Sequence, residues 1–366
     1  MRRFLLVTVA SLLAGCSQYY SPPKALAADN ALFSGFAKNV SNPVFTPGSV
    51  LWGTVDGIEE PFVVTDGATY YAFYPAGSDT VATRDIGLST TPANSYPLGW
   101  SSYANKVLSR NSQAMDTVNV TAPVVIKMQD GSWRMYYHGY DGLNTRAGVA
   151  MATAGGFPYT WTKYAGNPIL DVGSAGAWDN AQVRFDVVIP AWEAPDNTWH
   201  AFYGGWDGST TWKIGHATSA DGLSWTKDSA NPLTAAFPSV PGTWENSDVF
   251  PFGWFKSDGL YFLLYMGNSS AAPTYAWTTG IATSTNLSTW TKASSNPFLP
   301  LGPGTAWDSG TVEVRNVVYD PIRKVLDVWY LGSPSNNLGK TYKVGMASRS
   351  LFLQFNGGTL FGATIH

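Results

Sequence analysis

Ile86-Gly87-Leu88-Ser89-Thr90, Gly148-Val149-Ala150-Met151-Ala152-Thr153, Ile214-Gly215-His216-Ala217-Thr218-Ser219, Gly280-Ile281-Ala282-Thr283-Ser284 and Val344-Gly345-Met346-Ala347-Ser348 are five renderings of one phrase, with glycines 61, 67, 65 and 65 residues apart. Each copy follows an aromatic strand that closes on glycine: Tyr74 to Gly77, Tyr137-His138-Gly139, Tyr203-Gly204-Gly205, Tyr265-Met266-Gly267 and Tyr330-Leu331-Gly332. Two registers that recur together five times define a repeat architecture.

Outward from the phrase, each repeat carries the same punctuation. A strand rich in Val, Phe and Pro leads into a turn at Asp66-Gly67, Asp130-Gly131, Asp196-Asn197, Asp258-Gly259 or Asp320-Pro321, and then into the aromatic strand. Asp-Gly between strands is a hairpin signal. After the phrase comes a fourth element marked by Trp161-Thr162-Lys163, Trp225-Thr226-Lys227 and Trp290-Thr291-Lys292, with Trp100 in the first repeat. No apolar period near 3.6 is sustained outside the first residues. Four strands per repeat and five repeats predict an all-β, five-bladed β-propeller of four-stranded antiparallel blades.

Asn-Pro follows three of those tryptophans, at Asn167-Pro168, Asn231-Pro232 and Asn296-Pro297, and the missing partner stands at the other end of the chain as Asn42-Pro43. That offset predicts that the N-terminal piece continues the last blade, with a separate cap from Leu351-Phe352-Leu353 as the alternative. The expected boundaries are a signal at 1–15, a lipidated cysteine and tether at 16–41, the propeller at 42–350 and a strand or cap at 351–366.

The first residues read as an export signal. Arg2-Arg3, an apolar run from Phe4 to Leu13 and then Leu13-Ala14-Gly15-Cys16 resemble a bacterial lipoprotein signal in which Cys16 carries the lipid. The run is too short for a permanent membrane span. Cys16 is the single cysteine, so no intramolecular disulfide forms. An ordinary secretory peptide is the alternative. Ser17 after the cysteine indicates the outer membrane, with Ser21-Pro22-Pro23 inside a tether.

Composition narrows the function classes. Aromatic residues make up 14% of the 366-residue chain and charged residues 13%, with 37 glycines and 23 prolines, which is a globular composition rich in turns. Without Arg2 and Arg3 there are 20 basic and 25 acidic residues, an acidic balance that argues against a nucleic-acid partner. The four histidines have no metal-ligand spacing, and phosphate loops, Cys/His clusters and nucleophile elbows are absent from the sequence. No cofactor or metal is expected, and the chain is expected to act as a monomer. His216 stands in the slot of Leu88, Val149, Ile281 and Met346, which reads as a core position.

The first strand of every propeller blade lines the central channel, so equivalent residues converge there. Asp186, Asp248 and Glu313 each lie 17 residues before the tyrosine of their repeat, Glu60 lies 14 before Tyr74, and the second repeat offers Thr121-Ala122-Pro123 instead. Carboxyls brought together in a partly buried place separate into a protonated acid and an ionised base, which is what glycosidic cleavage needs. Solvated channel charges are the alternative. Arg184 and Arg315 lie two residues from Asp186 and Glu313, on the same strand face if alternation holds, and form either internal ion pairs or a substrate clamp. Trp52, Trp206 and Trp277 fall outside the repeated tryptophan positions and could rim the pocket. A second acidic series, Asp116, Asp179, Glu245 and Asp308, recurs in four repeats and reads as structural.

Glu59-Glu60-Pro61-Phe62-Val63-Val64, Ala122-Pro123-Val124-Val125, Phe185-Asp186-Val187-Val188-Ile189-Pro190 and Ala217-Thr218-Ser219-Ala220-Asp221-Gly222-Leu223-Ser224-Trp225 resemble the five-bladed glycosidases of glycoside hydrolase family 43, the arabinanases and xylosidases, and the related invertase and levansucrase families. The resemblance spans residues 42 to 350. It implies Glu60 as the base, Asp186 as the residue that sets the pKa values and Asp248 as the general acid. Glu and Asp are exchanged at both ends relative to the family pattern, and no acid follows Ala122-Pro123, which marks a divergent member. Asp56, Glu59, Glu245 and Glu313 stand as substitutes, with Asp56, Arg184, Glu313 and Arg315 as substrate-binding candidates. The leading expectation is an envelope-anchored glycosidase acting on a poly- or oligosaccharide, a furanose-containing one included. Its rivals are a carbohydrate-binding lipoprotein without cleavage and an envelope scaffold.

Overall fold

The computed structural model describes residues 35–53, 55–78, 83–257, 259–268, 276–334 and 342–350. Among them the chain is all-β, its only helical pieces being the three-residue 3-10 turns Pro47–Ser49 and Ala114–Asp116. None of the described residues forms a helix long and apolar enough to cross a membrane. The signal, Cys16 and the segment 351–366, Leu351-Phe352-Leu353 included, lie outside the described residues.

The antiparallel pairings fall into five successive units. In the second unit Asn119–Lys127 pairs with Trp133–Tyr140, which pairs with Thr145–Ala152, which takes the short outer strand Thr162–Lys163. The third repeats this with Gln182–Ile189, Trp199–Trp206, Lys213–Ser219 and Thr226–Lys227. The fourth does so with Val249–Ser257, Leu260–Asn268, Trp277–Ser284 and Thr291–Lys292. The first unit is built on Thr69–Ser78, Thr83–Pro92 and Ser101–Ser102, its innermost strand broken into Gly57–Ile58 and Phe62–Thr65. The fifth joins Thr311–Asp320, Val325–Ser333 and Lys343–Ser350. The innermost strands touch one another in cyclic order, the last returning to the first.

The repeated phrase has a steric origin. Its glycine pairs with the tyrosine of the neighbouring strand, as in Tyr203↔Gly215, Tyr137↔Gly148 and Tyr330↔Gly345. A Cβ on Gly215 would lie 2.4 Å from the Tyr203 ring, so the buried ring occupies the space a side chain would need. The phenol then reaches a polar network. Tyr203 Oη donates to Asp179 at 3.2 Å, Lys227 Nζ pairs with the same carboxylate at 2.6 Å, and Asn231 Nδ2 donates to the phenol oxygen at 3.2 Å. Tyr137 with Asp116, Lys163 and Asn167 repeats the arrangement, as does Tyr330 with Asp308, Lys38 and Asn42. The second acidic series is therefore a set of inter-strand ties.

The seam follows the Asn-Pro offset. Asn42 brackets Met346, accepting its N–H at 2.9 Å and donating to its carbonyl at 2.8 Å, as Asn231 brackets His216. One boundary moves: Ala37–Lys38, expected within the tether, pair antiparallel with Ser348 and Ala347 as the outer strand of the fifth unit. Folded structure thus begins before residue 42, because Lys38 supplies the cation that Asp308 needs.

Candidate active site

Each innermost strand slips register near its middle, and the slips aim side chains inward. Bulges fall between Thr121 and Val124, Arg184 and Val187, Pro251 and Gly253, and Val314 and Asn316. An extra residue in one strand bends it and redirects its side chains, a common device beside functional sites. In the first unit the break at Glu59–Pro61 does the same, and Glu60 and Ala122, each followed by proline, hold left-handed φ values of +39° and +50°. Such backbone costs free energy in a residue with a side chain and persists only where its surroundings over-determine it.

These slips overturn the 17-residue count. Pairing of Val183↔Gly205, Val249↔Gly267 and Val312↔Gly332 sets a common level, from which Asp186 stands three residues further, Glu313 one further and Asp248 one before. The hairpin of the third unit is longer, with 190–198 between its strands, so equal counts from tyrosine reach different depths. The residues level with Asp186 are Phe252 and Arg315, and Glu313 is level with Arg184.

What converges is an ionic cluster. Arg315, fully buried, donates from Nη1 to Asp186 Oδ1 at 2.5 Å and to the Phe252 carbonyl at 3.2 Å, and from Nη2 to the Ala122 carbonyl at 3.1 Å. One guanidinium thereby ties four units together. Arg184 Nη2 donates to Glu60 Oε1 at 2.5 Å, and its Nε lies 3.7 Å from Asp186 Oδ2. Alternation had paired Arg315 with Glu313; the bulge at Val314–Asn316 turns it to Asp186 instead. Burial opposes the charge on Arg184, but Asp186 and Glu60 beside it more than offset this and raise its pKa.

Glu313 behaves differently. Burial first, then repulsion from Glu60, pushes its carboxyl up to about 8, with Arg184 pulling the other way. It therefore holds its proton at neutral pH. His138, missed in the sequence as a site residue, has its Nε2 3.6 Å from Asp186 Oδ1, and burial reinforced by Arg184 holds its pKa well below the usual imidazole value. Glu60 Oε2, Asp186 Oδ2 and His138 Nε2 are buried without a hydrogen-bond partner among the described residues, as are the Nε atoms of Arg184 and Arg315. Buried groups of this kind normally find partners, so this concentration of unsatisfied atoms sets the centre apart from the ties between strands.

The chain resembles solved glycoside hydrolases in fold. A structure described under mannoside phosphorylases and hydrolases of the GH130 family, targeting β-1,2 mannosidic linkages in Candida mannan, matches at TM-score 0.66 and 18% identity, covering 92% of this chain and 97% of that one. A glycosyl hydrolase from Bacteroides ovatus matches at TM-score 0.67 and 16% identity over 92% and 97%. A thermostable family-43 glycoside hydrolase matches at TM-score 0.61 and 20% identity over 89% and 98%. No protein-family model and no curated protein matches the sequence.

The remaining predicted residues sit around this centre. Asp248 is half-buried at the rim, level with Asn119 and Gln182, where its Oδ1 accepts the Trp212 backbone N–H at 2.9 Å. Glu59 pairs with Arg84 at 2.7 Å, and Asp56 Oδ2 accepts from Ser78 Oγ at 3.4 Å. Glu245 belongs to the inter-strand ties through Lys292 at 2.8 Å. Trp52 carries Lys106 over its ring at 5.2 Å. Trp206 stacks on Trp212 with centroids 5.8 Å apart, and Trp277 reaches Phe250 at 5.5 Å. Trp212 and Phe250 were not singled out in the sequence; only their place beside Arg184, 5.8 and 5.3 Å from its guanidinium, marks them. Among the described residues no group of three or more His, Cys, Asp or Glu side chains could hold a metal ion.

Proposed function

We propose that this chain is a glycoside hydrolase built as a five-bladed β-propeller and carried on a lipid at Cys16. Glu313 is the general acid that protonates the leaving glycosidic oxygen. Glu60 is the second carboxylate, which activates water or attacks the anomeric carbon. Asp186, held by Arg315 and flanked by Arg184, sets the field in which the other two work. The resemblance had assigned the acid role to Asp248; the role passes to Glu313 because Asp248 stands one residue before the common level, half-buried and engaged with the Trp212 backbone N–H, while Glu313 lies inside the ionic cluster.

One observation carries this reading: a buried carboxyl with its pKa pushed up to about 8 lies within electrostatic reach of Glu60, whose outer oxygen has no protein partner among the described residues. Paired acids with separated proton affinities are the requirement of glycosidic cleavage. The unpartnered donors and acceptors around them suit a polyhydroxylated ligand.

The test is reducing-sugar release from arabinan, xylan and β-mannan by the mature chain, with the anomeric configuration of the first product followed by NMR. Release that disappears in both Glu313→Gln and Glu60→Gln supports the assignment. Glycan binding with no release over long incubation would make the protein a carbohydrate-binding lipoprotein instead.

A further inference from the structure

Arg184 stands between two chemically unlike surroundings. Toward the second and third units lies a cavity of about 200 Å³ lined by Asn119, Thr121, His138, Tyr140, Gln182 and Arg184. Asn119 Oδ1 accepts the Arg84 N–H at 2.7 Å and Gln182 Oε1 accepts from Thr145 Oγ1 at 3.2 Å, so each amide keeps its NH₂ as a donor. Two lining residues connect the cavity to the acids: Arg184 bonds Glu60 at 2.5 Å, and His138 Nε2, without a hydrogen-bond partner among the described residues, lies 3.6 Å from Asp186. Toward the third and fourth units the lining turns aromatic. Trp206 and Trp212 are stacked at 17°, Trp212 meets Phe250 at 5.6 Å, and Phe250 meets Trp277 edge-on. This wall is pinned: Trp206 Nε1 donates to the Thr210 carbonyl at 2.9 Å, and Asp248 accepts the Trp212 N–H. The tryptophans remain partly exposed. Arg184 joins the two sides, lining the cavity while lying against Trp212 and Phe250.

Resting on the glycosidase reading, we propose that the substrate is a neutral glycan chain whose end ring occupies the polar cavity while the following rings lie over Trp206, Trp212 and Trp277, so that one sugar is released at a time. The cavity is smaller than sites for drug-sized ligands and has room for one sugar ring. Its donors and acceptors meet hydroxyls, and flat indole faces meet the C–H faces of rings further along the chain. Charge selects the substrate class. Glu60 and Asp186 are balanced by Arg184 and Arg315, and Glu313 holds its proton. A uronate in the cavity would add a negative charge where both arginines are already matched by carboxylates. Asp248 on this reading is a positioning residue for Trp212.

The experiment measures kcat and KM for two-, three- and four-ring oligomers of arabinan, xylan, β-mannan and a uronate glycan, with products sized by mass spectrometry, in wild type, Trp212→Ala, Trp206→Ala and the milder Trp212→Phe. Expected are monosaccharide as the product, no turnover of the uronate series, and a KM that falls at least tenfold from two rings to four in wild type. That dependence on length is lost in Trp206→Ala and Trp212→Ala and largely kept in Trp212→Phe. Active wild type that yields a mixture of oligomers, or tryptophan variants with the wild-type dependence on length, overturns this proposal and leaves the glycosidase reading standing. Wild type inactive on every substrate removes both. Trp206 stands on the rim and out of the core, so its variant keeps the test valid should Trp212→Ala fail to fold.

Discussion

Acidic side chains serve two regions of this molecule in opposite ways. Asp116, Asp179, Glu245 and Asp308 recur unit by unit, and each meets a lysine within 2.8 Å. Glu60, Asp186 and Glu313 do not recur at equivalent levels, lean on arginines from other units and leave two of their oxygens without partners among the described residues. Where a residue repeats with the fold it satisfies the fold. Where it breaks the repeat, the ring gathers charges that the strands do not need.

The sharpest way to break this comparison is to neutralise one acid of each kind. Glu313→Gln keeps shape and removes the proton, and a general acid contributes about 10²- to 10⁴-fold. The expected outcome is a loss of hydrolysis of that order with an unchanged thermal unfolding curve, measured on whichever glycan wild type cleaves. In wild type, activity falls as pH rises past about 8, where the Glu313 carboxyl loses the proton that the reaction consumes. Asp179→Ala should do the reverse, leaving the Tyr203 hydroxyl and the Lys227 ammonium without their common partner. Lys227 is partly exposed and can turn to water, so the expected cost is that of the buried hydroxyl left unsatisfied, about 1 to 3 kcal/mol, read by denaturant unfolding, while turnover per folded molecule stays near wild type.

Arg315→Met separates the two regions from within the centre. It removes the guanidinium from Asp186 and from backbone carbonyls of the second and fourth units. The cost expected from one-sided loss of a buried pair is about 3 to 5 kcal/mol. Both stability and activity should fall, because this residue serves the ring and the acids together. A variant that lost activity alone would show that the carbonyl bonds contribute little. Gly215→Ala tests the periodic side more gently: the new Cβ meets a Tyr203 ring held by Asp179 and Asn231, and overpacking of this kind costs about 1 to 3 kcal/mol.

The contrast also explains what was legible in the sequence. Gly215 and its counterparts repeat because a tyrosine ring fills the Cβ position, and Asn42 stood out because the last unit lacked its Asn-Pro; both are constraints of local geometry, and local geometry leaves a period. Glu60 and Asp186 were singled out by their distance from the repeat tyrosine, and the resemblance added the roles. Arg315 was singled out beside Glu313, but its level with Asp186, shared by Phe252, was hidden because register depends on hairpin length and on one-residue bulges, which counting along the chain does not reveal. His138, Trp212 and Phe250 carried no signal at all, since their place beside Arg184 and Asp186 arises only when separate units meet.

His216 is the one slot of the repeated phrase where a titratable side chain replaces an apolar one. Its Nε2 lies 2.9 Å from His200 Nδ1, and the outer nitrogens of the pair face Asp228 at 3.2 Å and Asp196 at 3.0 Å. Burial, helped against the Asp228 bond by the charge of His200, lowers the His216 pKa below its value in the unfolded chain. Folded protein then binds fewer protons than unfolded protein as pH drops through about 6.5, so this stability is present above that pH and lost below it. The carboxylates act in a lower window: burial works against it at Asp196, but hydrogen bonds from His200 and the Thr198 N–H outweigh it, and hydrogen bonds likewise lower Asp228. His216→Leu, which restores the residue type of Leu88, should flatten the slope of unfolding free energy between pH 7 and pH 5 while leaving the pH dependence of turnover unchanged. Equal slopes in the two proteins would mean that His216 exchanges no proton on folding and is as passive as the apolar residues it replaces.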